Sequence, residues 1–213
     1  MLTSRVAFEI LSADSPDTIS QVEEILSVLK ASDPSWTKLE DHHPMVECVT
    51  FADEIKSKGG SYQSGWHFID TPYLDQGGKI SDFNFTMDEH NITEAISAIS
   101  DWVNKADGYK DSFEYKTIQA NGLKGHTEVD GLSTALRFLL HYAGDIHQPL
   151  HATSRVNNDY PEGDRGGNSV PLPSVQGAKN LHSVWDSVLY SQAGDFNLVS
   201  SIELLLANPI FNF

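Results

Sequence analysis

Residues 141–151 read HYAGDIHQPLH. His141 and Asp145 stand four apart, so one face of a helix carries both. Pro149 cannot continue that helix, and Gln148 before it is biased out of helical geometry. His151 therefore falls beyond the turn, free to fold back toward the same side. Two imidazoles and a carboxylate meeting at one point form a ligand set suited to zinc. The plain alternative is a His and an Asp on a solvated helix face. A second H-x-x-x-D pair, His182 and Asp186, lies in NLHSVWD. One such pair is common by chance, but two in a small chain are harder to dismiss.

His67 in WHFID and Asp53 in FADEIK are further candidate ligands, although each alone reads equally well as a core or surface residue. His42 and His43 form a weaker candidate in a polar loop. His90 and His126 lack a partner pattern, and His147, six residues after His141, points off the ligand face. The run GDRGGN over 163–168 is rich in glycine but lacks the strand–loop–helix setting of a phosphate cradle.

The elements that must position these residues are helical. Asp130 is expected to cap a helix over 131–147. Its Leu132, Leu136, Leu139, Leu140 and Ala143 form one stripe, with His141 and Asp145 nearly opposite. That helix would be buried on two sides, against core on one and metal on the other. Amphipathic spacing predicts helices over 2–12, 18–30 and 44–56, the last opened by Pro44 at its first turn. Asn91 and Glu94 resemble a capping box before Ile92, Ala95, Ile96, Ile99, Trp102 and Val103. Helices are expected over 181–192, with Trp185 on the core face, and over 196–207. Residues 66–70 read as extended or irregular, 71–90 and 105–129 as irregular, and a small hairpin is expected near 165–173. The whole reads as one all-α domain.

At 213 residues the chain is long enough for a proper core, and 39% hydrophobic residues mark it as globular. No run approaches the roughly 18 apolar residues of a membrane span. The net charge of −16, from 14 basic against 30 acidic residues, argues against a broad cationic surface for nucleic acid. It leaves room for an enzyme whose positive element is a metal cluster. Cys48 is the only cysteine, so it has no intrachain disulfide partner and is expected to be buried. The stretch 1–11 does not read as a signal peptide. Two glycosylation sequons, Asn84-Phe-Thr86 and Asn91-Ile-Thr93, hint weakly at secretion.

Taken in order, FADEIK, WHFID, ALRFLLHYAGDIHQPLH, GDRGGN and NLHSVWD resemble the zinc-dependent single-strand-specific nucleases: fungal enzymes, plant bifunctional nucleases and trypanosomatid 3′-nucleotidase/nucleases. The resemblance implies a mainly helical fold of the zinc phospholipase C type with a three-zinc cluster. It assigns one zinc to Asp53, His67, His141 and Asp145, and a second to His151, His182 and Asp186. Asp145 would bridge to a third, completed in the family by an N-terminal W-G-x-x-G-H segment. That segment would directly precede the stretch matching Met1-Leu-Thr, so a single zinc nuclease domain over 1–213, shortened at both ends and with its third site incomplete, is the expectation. Secretion, or a lysosomal or vacuolar location, and a glycoprotein are implied by the same resemblance.

The implied reaction is hydrolysis of phosphodiesters in single-stranded RNA and DNA to 5′-phosphate products, with 3′-nucleotidase action besides. Asp53 would orient the attacking water and Lys56 would support transition-state charge. Phe68 would stack a base, Asp70 would hydrogen-bond it, and Asn168 would line the cleft. Stacking needs an unpaired base, which explains single-strand preference without a basic surface. The expected partner is single-stranded nucleic acid or nucleotide, with no membrane, acting on a monomer. The alternatives are a zinc phospholipase C, a fragment that only binds zinc or nucleotide, and a plain helical bundle.

Overall fold

The computed structural model describes residues 2–121, 127–175 and 178–191. The expected helix over 196–207 and His126 lie outside them. The chain divides into two compact units, Met1–His67 with His90–Asp145, and Phe68–Glu89 with Ile146–Phe213.

The first unit is helical. It contains α1 (Leu2–Asp14), α2 (Pro16–Ser32), α3 (Pro44–Glu47), α4 (Phe51–Glu54), α5 (Ile92–Val103), α6 (Phe113–Ala120) and α7 (Glu128–Asp145). The spacing of α5 buries Ile92, Ala95, Ile99 and Trp102 on one face. Asn91 caps it, its side-chain oxygen accepting from the N–H groups of Thr93 and Glu94. Helix α7 packs against α2, α5 and α6. Its approach depends on Gly131, where a Cβ would lie 2.0 Å from the Gln119 amide and 3.0 Å from the Trp102 ring.

Several expectations are corrected in this unit. Helix α7 starts at Glu128, and Asp130 sits inside it. Thr127 is the cap: the Asp130 carboxylate accepts from Thr127 N–H (2.9 Å), while Thr127 Oγ1 accepts from Asp130 N–H (3.3 Å). The helix ends at Asp145, two residues early. The expected helix over 44–56 is instead α3, a 3-10 turn at Cys48–Thr50, and α4. The β-branched residues Val46, Val49 and Thr50 weaken a regular helix here. The 3-10 helix Gly60–His67 takes in the start of the segment 66–70 expected as extended or irregular, and 105–129, expected as irregular, contains α6, capped by Ser112. The polar composition of α6 hides one buried apolar anchor, Ile118, beside the buried Glu114.

Helix α7 is buried further round than its leucine stripe suggests, because Arg137 is wholly enclosed. Its guanidinium meets Glu40 through Nε (2.8 Å) and Nη2 (2.6 Å), and donates to Ser133 O and Oγ and to Leu26 O. All five N–H groups are used, the condition under which a buried ion pair is tolerated. Cys48 is buried in the core formed by Leu26, Met45 and Leu136, and burial pushes its thiol up to about 12.

In the second unit β1 (Thr71–Tyr73) runs parallel to β2 (Thr153–Arg155), with Thr71 opposite Thr153 and Tyr73 opposite Arg155. Strands β3 (Pro171–Val175) and β4 (Ala178–Asn180) form an antiparallel hairpin that leads into α8 (Leu181–Ser191). The hairpin lies later than expected, because Gly163, Arg165, Gly166 and Gly167 all have positive φ and cannot enter a strand. Trp185, expected in the core, is 46% exposed. Among the described residues no helix is long and apolar enough to cross a membrane.

Replacing Glu40 by Ala would strand the Arg137 guanidinium in the core. The expected cost is about 3–5 kcal/mol in denaturant unfolding, far above a surface carboxylate change.

Candidate metal centres

In the first unit α7 carries His141 and Asp145 one turn apart, and the 3-10 helix delivers His67 against them. His67 Nδ1 lies 2.7 Å from Asp145 Oδ2, His141 Nε2 lies 3.0 Å from the same oxygen, and the two nitrogens are 3.0 Å apart. Asp53, from α4, places Oδ2 3.8 Å from His141 Nε2, and ligand atoms of Asp53, His67 and His141 all fall within 4.8 Å of one another.

The opposite ring nitrogens decide the chemistry. His67 Nε2 faces Gln63 Oε1 at 2.7 Å. That oxygen is fixed as an acceptor, because Gln63 Nε2 donates to Ala52 O (2.7 Å) and Tyr142 OH donates to Oε1 (2.8 Å). His67 must therefore donate from Nε2 and keep a lone pair on Nδ1. His141 Nδ1 meets the carbonyl of Val49, in the 3-10 turn, which leaves its lone pair on Nε2. Two imidazole lone pairs and a carboxylate oxygen then face one another with no proton between them. Such a group is suited to hold a cation. Ligands of a tetrahedral zinc stand roughly 3.3 Å apart, close to these spacings.

The two rings differ in charge preference. Burial lowers the His67 pKa, keeping the imidazole neutral and ready to ligate. Burial also opposes the charged form of His141, but the hydrogen bond to Asp145 and its charge outweigh it, and the pKa is raised. Burial holds Tyr142 well above its ordinary value, so it remains a phenol donor to Gln63. Lys56 donates to Asp53 Oδ1 at 2.8 Å.

The second unit holds the other group. Ligand atoms of His151, His182 and Asp186 lie within 4.8 Å of one another. His182 Nδ1 donates to Gly166 O at 2.8 Å, which turns Nε2 toward Asp186 Oδ2, 3.4 Å away. His151 Nε2 lies 3.8 Å from Asp186 Oδ1, which also accepts from Gln148 Nε2 at 2.9 Å. Burial would raise the Asp186 pKa, but the hydrogen bonds from His151 and Gln148 prevail and lower it.

Phe68 stacks on His151, with centroids 4.6 Å apart and planes 28° apart. Asp70 is partly enclosed, its Oδ1 is buried without a hydrogen bond, and burial together with Asp88 and Asp164 raises its pKa. Asn168 is exposed and donates from Nδ2 to Arg165 O.

All seven candidate ligands thus fall into two groups, four in one unit and three in the other. His42 and His43 join neither. His90 stacks flat on Phe113 at 3.6 Å beside Glu114. Sequence reasoning missed Gln63, Gln148 and the carbonyls of Val49 and Gly166. Gln63 offers a faint signal, an amide one helical turn before His67, and the GDRGGN glycines offer another. At Gly166 a Cβ would lie 2.0 Å from Leu150 O, so the turn that presents its carbonyl admits glycine alone.

The described chain is thus mainly helical and carries two His/Asp groups that could each hold a metal ion. The chain belongs to the S1/P1 nuclease family, whose profile matches residues 1–206. Endonuclease 5 of Arabidopsis thaliana is 26% identical over 178 residues, 83% of this chain and 51% of the relative. Endonuclease 4 of the same plant is 42% identical over 62 residues, 29% of this chain and 18% of the relative. Nuclease S1 of Aspergillus oryzae is 26% identical over 156 residues, 72% of this chain and 45% of the relative. The chain spans about half the length, or less, of these relatives.

Two substitutions probe the supports of the ligands. Gln63→Leu frees the His67 tautomer and is expected to weaken metal binding at the first group about 10–100-fold in chelator competition. Gly166→Ala cannot keep the turn and is expected to lose the second group's metal, read as a fall in zinc per chain, while the first group's remains.

Proposed function

We propose that this chain forms a zinc-dependent endonuclease that hydrolyses phosphodiester bonds of single-stranded RNA and DNA to 5′-phosphate products, and that it also removes 3′-phosphates from nucleotides. The observation that carries this reading is the pair of His/Asp groups, in which three of the four imidazoles have their lone pair fixed inward. Zinc held there supplies neutralising charge at a phosphate and a bound water whose pKa falls toward about 7. Asp53, Lys56, His67, His141 and Asp145 serve the attacking side of the reaction. The Asp53 carboxylate orients the water and takes its proton. Lys56, donating to that carboxylate, adds positive charge for the phosphoryl oxygens. A 5′-phosphate product requires the bond from phosphorus to the 3′ oxygen to break. His151, His182 and Asp186 serve that departing oxygen.

Base recognition falls to the second unit. Phe68, stacked on His151, supplies an aromatic ring suited to stack a base. The unpartnered Asp70 oxygen is suited to hydrogen-bond the edge of that base, and a raised pKa lets the carboxyl donate as well as accept. This favours a nucleotide over a lipid headgroup, which carries no planar ring to stack. Asn168 keeps its amide oxygen for the same strand. Secretion, or a lysosomal or vacuolar location, suits such an enzyme. Both sequons are compatible: Asn84 is exposed, and Asn91 caps α5 through the oxygen that a glycan on its nitrogen would leave free.

The test compares single-stranded RNA, single-stranded DNA, duplex DNA and phosphatidylcholine as substrates of the purified chain. Single strands are expected to yield 5′-phosphate ends, with activity lost to EDTA and restored by zinc. Release of phosphocholine without nucleotide would overturn the reading. His182→Ala is expected to lower turnover more than about 10²-fold. Phe68→Ala is expected to act chiefly on KM, by an amount matching the roughly 1–3 kcal/mol of one stacked base.

A further inference from the structure

The loop that holds His182 through Gly166 contains one residue that does not suit its backbone. Gly163, Arg165, Gly166 and Gly167 have φ of 89°, 56°, 58° and 78°. Three are glycines, for which this region carries no penalty, but at Arg165 a Cβ is crowded. A non-glycine residue persists in this conformation only where its surroundings impose it, and such positions cluster where chemistry is done.

The surroundings of Arg165 are specific. Its N–H donates to Ser154 Oγ at 3.2 Å. Its carbonyl accepts from Asn168 N–H at 3.2 Å and from Asn168 Nδ2 at 3.0 Å. The next carbonyl, Gly166 O, accepts from the metal-candidate imidazole of His182. The backbone is thus pinned from both sides. The side chain is exposed and makes no ion pair or hydrogen bond among the described residues. Arg155, on β2, is the contrast: its guanidinium lies 4.8 Å over the Tyr160 ring, between Asp75 (3.8 Å) and Asp164 (3.9 Å). In a chain with a net charge of −16, a guanidinium left uncommitted beside a metal ligand is unusual. Its charge reaches Asp70, where it offsets part of the pKa rise caused by burial, Asp88 and Asp164.

We infer that Arg165 is a phosphate-contacting residue, gripping a backbone phosphate of the strand whose base is held by Phe68 and Asp70. This rests on the function proposed above. A guanidinium fork matches two phosphate oxygens and adds a positive charge where the polyanion must approach. Glycine at 165 would suit the backbone better, so the position uses the side chain. Asp70 repels a phosphate, and Arg165 is the nearby charge that counters it.

The experiment measures binding of a fluorescein-labelled oligothymidylate by anisotropy, over a range of NaCl, for the zinc-loaded wild type, Arg165→Gly and Arg165→Lys. Arg165→Gly is expected to keep its zinc content and a Tm no lower than wild type, because the left-handed strain is relieved. It is expected to bind about ten-fold more weakly, with the slope of log K against log salt shallower by about 0.7. Arg165→Lys is expected to regain the slope but only part of the affinity. A Kd and slope for Arg165→Gly equal to wild type would overturn the inference. So would a loss traced to lower zinc content, with Arg165→Lys at wild-type affinity. A wild type that binds the strand through Arg165 but cleaves no phosphodiester would sink the hydrolase reading and leave this one standing.

Discussion

The fixed orientation of three imidazole rings is the constraint on which the rest depends. A neutral histidine has one donor and one acceptor nitrogen, and which is which depends on the partner of the first. His67, His141 and His182 each spend their N–H on an oxygen that can only accept there: Gln63 Oε1, Val49 O and Gly166 O. The inward nitrogens are left as lone pairs. Nothing about two histidines and an aspartate in a row would produce this by itself, since either ring could flip or tautomerise. The outer oxygens convert proximity into a ligand set.

Those oxygens need rigid supports, and the first unit supplies one in α7. A helix that carries Tyr142, His141 and Asp145 at its end must not slide or roll, because a shift of 1 Å would separate the nitrogens that stand 3.0 Å apart. Arg137, one turn before His141, resists this. It ties α7 to Leu26 on α2 and to Glu40 in the loop beyond, with every guanidinium N–H engaged. Replacing such a pair by apolar side chains of similar volume is often neutral or stabilising, so its value here is in location. Gly131 acts at the other end of the helix by admitting Gln119 and Trp102 against the backbone.

The distinction between what the sequence makes legible and what it hides is physical. His141, Asp145, His151, His182 and Asp186 could be read because helical spacing is a local property, and local periodicity survives in the string. The amphipathic faces of α2 and α5 were legible for the same reason. Helix α6 was not, because FEYKTIQA buries one apolar side chain, Ile118, beside the carboxylate Glu114, too little for an apolar stripe to show. The irregular course of 44–56 was hidden because apolar spacing there fits a helix, while the 3-10 turn is imposed by packing. Trp185 misled because a large ring at core spacing reads as core, whereas among the described residues its face is exposed. Gln63 and the Val49 carbonyl were beyond reach, since a backbone carbonyl carries no sequence signature and an amide one turn from a histidine has many innocent readings.

The acidity of the chain remains to be reconciled with a polyanionic substrate. A uniform surface of this charge would repel nucleic acid over the Debye length, about 8–10 Å in physiological salt. Inside that distance local charges and contacts decide. The carboxylates nearest the candidate metals are largely committed: Asp145 to His67 and His141, Asp186 to Gln148 and the second group's imidazoles, and Asp53 to Lys56. A bound divalent cation would neutralise two of them. Base stacking on Phe68 is indifferent to net charge. Under the proposed function, repulsion at long range combined with attraction at a few points would favour substrates that can insert an unpaired base and present one or two phosphates, and would penalise a duplex whose phosphates face a broad acidic surface. A net charge that argues against a broad nucleic-acid surface would then act as a filter on the form of nucleic acid bound.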